Sequence, residues 1–143
     1  MRPNSCCFLL AFFCAQTLAA AAPCHVDAAV GRSTRRLIAD ALVKSGNHSR
    51  KATEQIEFLA VCGDWALVDS VTCDPECPEG GYSLLRRRHN RWTVLPLPDI
   101  ADCDAATESP FVSRDNQCLA ATLKRYPAAP RALFATVNRE KSP

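Results

Sequence analysis

The sequence predicts an α+β domain: a four-stranded antiparallel meander packed against an N-terminal helix, followed by two short C-terminal helices and held by disulfides. Three observations carry this. Two strand–turn–strand patterns lie back to back between residues 56 and 97. Helical apolar spacing occurs before and after them but not within. Six cysteines remain once an N-terminal export signal is set aside.

The signal comes first in the chain. Arg2 is the only charged side chain before Asp27, and an apolar run from Cys6 to Leu18 opens into Ala19-Ala20-Ala21-Ala22. A basic start, a short apolar centre and a small-residue exit are the parts of a secretory signal peptide. The run is shorter than the about 20 apolar residues that span a bilayer. Cleavage is expected after Ala21, giving a signal peptide at 1–21 and a single small domain at 22–143. Cys24 follows Pro23 and Cys14 follows Phe13, whereas lipoprotein processing wants a small residue there, so no stable membrane anchor is expected. The product is expected to be periplasmic or secreted.

Cys6, Cys7 and Cys14 leave with the signal; Cys24, Cys62, Cys73, Cys77, Cys103 and Cys118 stay. An even number in an exported chain reads as a disulfide framework whose connectivity the sequence alone leaves open. The preferred set is Cys73–Cys77 as a local staple, Cys103–Cys118 across the C-terminal segment, and Cys24–Cys62 tying the N-terminus to the sheet.

Leu37, Ile38, Ala41 and Leu42 repeat at helical spacing over residues 33–45, with Ser33 or Thr34 as cap and Gly46 as a left-handed stop. Residues 47–53 are polar and basic, a loop. Residues 56–62 and 65–72 are strands joined by the tight turn Gly63-Asp64. Residues 73–81 hold two prolines and two glycines and form a loop. Residues 82–87 and 91–97 make a second hairpin around Arg88-His89-Asn90, ended by Pro96 and Pro98. Leu84 and Leu85 are both apolar, so the middle of this hairpin wants cover on both sides; one helix on one face is the economical arrangement. After an acidic connector, Ser113 starts a helix carrying Leu119, Ala120, Leu123 and Tyr126, and Pro130 opens a last one running to about Glu140.

The chain offers little for catalysis. His25, His48 and His89 lie beside no nucleophile elbow, and Gly-x-Ser-x-Gly is absent. Cys73-x-x-x-Cys77 has zinc-like spacing but lacks a second close pair. Its acidic, proline-bound loop suits a staple better than a redox motif. Asp64, Asp69, Asp74, Glu76 and Glu79 include no pair singled out for glycosidase chemistry. No catalytic residue, metal or cofactor is therefore expected. With Arg2 removed, the 17 basic residues fall to 16 against 15 acidic ones, which argues against nucleic acid as a partner.

What stands out is charge contrast. Arg86, Arg87, Arg88 and Arg91 crowd the second hairpin, while Asp74 and Glu76 sit in the preceding loop. Such charges blunt an exposed sheet edge, and they also form a rigid epitope able to fork onto carboxylates.

The segments Trp65-Ala-Leu-Val, Gly80-Gly, Leu84-Leu-Arg-Arg and Arg91-Trp-Thr-Val form a hairpin core covering about a third of residues 22–143. In this the chain resembles small exported bacterial proteins of unassigned function, some with a cystatin-like or NTF2-like helix-on-sheet build. The resemblance implies fold and carries over no site residue. The expected function is a non-catalytic binding protein, an inhibitor or immunity-type protein that blocks an envelope-acting enzyme through the charged hairpin. The alternative is a small hydrolase or ligand carrier using the concave face of the sheet around Trp65, Tyr82 and Trp92.

Overall fold

The computed structural model describes residues 22–46, 53–73, 76, 80–99, 103, 111 and 117–140. The expected signal peptide, His48, Asp74 and Cys77 lie outside the described residues. Among these residues the chain is α+β, with an antiparallel sheet in the order β1 (Cys24–Val26), β2 (Thr53–Cys62), β3 (Trp65–Cys73), β4 (Gly81–Arg88) and β5 (Arg91–Leu95). Helix α1 (Arg32–Ser45) joins β1 to β2, and α2 (Gln117–Arg125) and α3 (Arg131–Glu140) follow the sheet.

The meander therefore has five strands, not four. Three residues, Cys24 to Val26, are too few to carry a period-two signal. They become a strand because Cys24 pairs directly with Cys62 across the ladder and is bonded to it, with the Cα atoms 4.2 Å apart. Cys103–Cys118 also forms as expected, tying the connector to the start of α2. Cys73 is disulfide-bonded as well.

Both central hairpins turn on two residues. Gly63 takes φ 61° between the paired residues Cys62 and Trp65, a left-handed position that glycine enters without steric cost. In the second hairpin Arg88 belongs to the strand and pairs with Arg91, so the turn is His89-Asn90 alone. Both take positive φ, 49° and 60°, as a type I′ turn requires.

The sheet is the middle of three layers. Side chains alternate between the faces of a strand, and here both sets are apolar. Leu59, Val61, Ala66, Val68, Leu85 and Trp92 face α1, packing with Val30, Ile38 and Leu42. Phe58, Ala60, Trp65, Leu67 and Leu84 face the other way, onto Phe111, Cys118, Leu133, Phe134 and Val137. The single helix layer expected from economy is thus two layers, because the C-terminal helices cover the second face. Ile38 and Leu42, four apart, form the buried stripe of α1, and Leu37 is 51% exposed. Helix α1 starts at Arg32 after Gly31 with no side-chain cap, and Gly46 is extended at φ −92° rather than left-handed.

Asp27 closes the edge where β1 runs out. Its carboxylate accepts the Leu59 N–H at 3.0 Å and lies 3.5 Å from Arg35. It does so at φ 42°, a region uncommon outside glycine but visited by Asp.

Two substitutions test this frame. Replacing Cys24 and Cys62 together by Ala is expected to lower unfolding free energy by roughly 2–5 kcal/mol, seen as a reduced urea midpoint. At Gly80 an added Cβ would lie 2.7 Å from Val71 Cγ2 and 2.9 Å from the Ser70 carbonyl oxygen. Gly80→Ala is therefore expected to cost about 1–3 kcal/mol in the same measurement.

Candidate functional site

The strand that buries Leu84 and Leu85 on opposite faces goes on to sort three consecutive arginines the same way. Arg86 and Arg88 share the face of Leu84, toward the C-terminal helices, and Arg87 shares that of Leu85. The neighbouring strand matches, with Leu84 opposite Leu95, Arg86 opposite Thr93 and Arg88 opposite Arg91. The four expected arginines thus divide: Arg86, Arg88 and Arg91 lie on one face, and Arg87 on the other.

Arg87 is committed to the fold. Its Nε donates to Asp64 Oδ1 at 3.0 Å, its Nη2 lies 2.9 Å from the same oxygen, and its backbone N–H donates to the Asp64 carbonyl at 2.7 Å. The guanidinium also lies 5.5 Å from the centre of the Trp92 ring. The ion pair is 40% and 62% exposed, so solvent screening limits it to about 1 kcal/mol or less. Its effect is positional, since it ties the β2–β3 turn to β4.

Arg86 and Arg88 are differently placed. Arg86 is half-buried, its guanidinium 4.9 Å from the centre of the Trp65 ring, a cation–π contact that holds the charged group in place. Arg88 and Arg91 are exposed at the tip. Among the described residues the ion pairs are Arg35–Asp27 and Arg87–Asp64, so none of the three same-face arginines meets a carboxylate there. Arg88 and Arg91 sit directly opposite each other, and facing like charges destabilise a strand pair.

Arg86 and Arg88 border a cleft of about 220 Å³ lined also by Thr93, Leu95 and Tyr126. Tyr126 forms its far wall. The phenol donates to the Pro96 carbonyl at 2.7 Å, and the ring centre lies 6.3 Å from that of Trp65. Arg125 lies 5.7 Å from the Tyr126 ring centre and adds another cation beside that wall. A shallower hollow of about 590 Å³ around the hairpin tip is lined by Asp64 and residues 86–90.

Glu76 is exposed and makes no ion pair with the arginines among the described residues. His25 lies on β1, paired with Val61. No group of three or more His, Cys, Asp or Glu side chains among the described residues is placed to hold a metal ion.

Thr93 and Tyr126 were not legible as site residues. The parity of Arg86 and Thr93 would have placed them on one face once the Arg88–Arg91 register was known. Nothing local brings Tyr126 to them. Comparison with protein-family models, curated proteins and solved structures finds no match to this chain.

The facing arginines give a direct test. Arg91→Glu turns a repulsive cross-strand pair into an attractive one and is expected to stabilise the domain by about 0.2–1 kcal/mol. The gain should shrink in high salt, as thermal melts at two ionic strengths would show.

Proposed function

We propose that this chain is an exported, non-catalytic binding protein of the inhibitor or immunity type, which blocks an envelope-acting enzyme by receiving an acidic surface on the β4–β5 hairpin. The observation that carries this reading is the half-buried, tryptophan-stacked Arg86 beside Arg88 and Arg91, none meeting a carboxylate among the described residues. Setting Arg88 and Arg91 opposite each other destabilises the strand pair, so the cluster spends stability on something other than folding. Rigid arginines next to buried aromatics are also the side chains that dominate protein interfaces.

Export is supported by the disulfides Cys24–Cys62 and Cys103–Cys118, which accord with an oxidising compartment. Among the described residues no helix is long and apolar enough to cross a membrane. The carrier or hydrolase reading draws less support. Trp65 and Trp92 are buried on opposite faces, and Tyr82 packs edge-on against Phe111 at 5.7 Å, so these aromatics line no common pocket.

The test is affinity capture from envelope extract with the immobilised mature chain. One stoichiometric protein partner is expected, and it should be lost when Arg86, Arg88 and Arg91 are all reversed to Glu in a variant that still melts cooperatively. Recovery of no partner, or retention by the reversed variant, overturns the reading.

A further inference from the structure

We infer that the cleft between the β4–β5 hairpin and Tyr126 is a receptor for one acidic side chain, a carboxylate presented by a protein partner and held by Arg86 and Arg88. This rests on the binding reading above and names the group that is bound.

Geometry comes first. Arg86 and Arg88 are two apart on one strand, so their Cα atoms are about 6.6 Å apart on the same face, and both border the same cleft. Arg86 is pre-organised by its stack on Trp65. Being half-buried, it has lost part of its hydration, and no carboxylate among the described residues replaces it. A carboxylate entering the cleft supplies what is missing, because a planar guanidinium donates two parallel charge-assisted hydrogen bonds to it.

The rest of the lining fits an acidic side chain rather than a bare anion. Thr93 offers a hydroxyl donor opposite Arg86, while Leu95 and the Tyr126 ring offer apolar surface for a methylene stem. Size then separates a side chain from a free ligand. At about 220 Å³ the cleft lies below the roughly 300–1,000 Å³ of small-molecule sites. That is room for one side chain, with the remainder of the partner resting on the exposed arginines outside.

The experiment is an NMR titration of the isotope-labelled mature chain with N-acetylglutamate methylamide, following the arginine Nε–H, Thr93 amide and Tyr126 ring signals. Saturable shifts are expected at Arg86, Arg88, Thr93 and Tyr126, with none at Arg87, whose Nε–H is held by Asp64. The uncharged glutamine analogue should give no shift. Inorganic phosphate at matched ionic strength should shift the arginines more weakly and leave the Tyr126 ring unmoved. Arg86→Lys keeps the charge but loses the planar fork, and should weaken glutamate binding about tenfold or more. Thr93→Val is a second, milder variant expected to weaken it without disturbing the Trp65 stack.

Absence of saturation in the wild-type chain overturns the inference, as do equal shifts with the glutamine analogue or chloride. Phosphate binding as tightly and with the same Tyr126 response reassigns the cleft to free oxyanions and also overturns it. The titration requires no partner. Glutamate-specific binding with no partner captured would keep the cleft and overturn the proposed function, and a captured partner without glutamate-specific binding would do the reverse.

Discussion

Leu84 and Leu85 are consecutive on a strand and both fully buried, and that one pairing organises the molecule. Neighbouring strand residues point to opposite faces, so burying both requires a layer of structure on each side of the sheet. The same demand recurs at Phe58–Leu59, at Ala60–Val61 and along Trp65–Val68. A lone helix satisfies half of it. The C-terminal helices, with Phe111 against Phe134 at 5.1 Å, satisfy the rest. At about 1.5–3 kcal/mol for each large apolar side chain buried, leaving either face open would remove much of what opposes the chain's conformational entropy.

Covering both faces leaves the edges and ends of the sheet as the places where polar chemistry can sit. At the β1 edge that chemistry is used for closure. The Cys24–Cys62 bridge pins three residues that would not hold a strand alone, and Asp27 satisfies the next backbone donor from a left-handed position. At the other end of the sheet it is not used for closure. The β4–β5 tip carries arginines that face one another and a cleft, while Arg87, paired with Asp64, points to the opposite face. Two regions of similar polarity in sequence thus differ in whether their charges are satisfied within the chain.

The cleft is a by-product of the three-layer build. Tyr126 reaches Pro96 because α2 lies on the second face, and that contact walls off the space above Thr93 and Leu95. Arg86 is held by Trp65, itself buried by the same helices. The layer that stabilises the sheet therefore also positions the charges at its end, and loosening α2 would disturb both.

Much of this was determined by the sequence itself. The two central hairpins are encoded locally, by Gly63-Asp64 and His89-Asn90 between β-forming runs, so four strands were legible to within a few residues. Six remaining cysteines left the connectivity open, and the structure settles two of the preferred pairings, Cys24–Cys62 and Cys103–Cys118. The helical stripe of Ile38 and Leu42 was legible as well, because period 3.6 survives without neighbours. Local patterning could not supply the fifth strand, which is too short to show a period and exists by pairing. It could not place Phe111, a lone aromatic in a connector. Nor could it tell Arg87 from Arg86 and Arg88, because their difference depends on where Asp64 and Trp65 arrive in space. Only tertiary structure brought Tyr126 across about 40 residues of chain to face Arg86 and Arg88, and so decided which charges are spent on folding and which are left to bind.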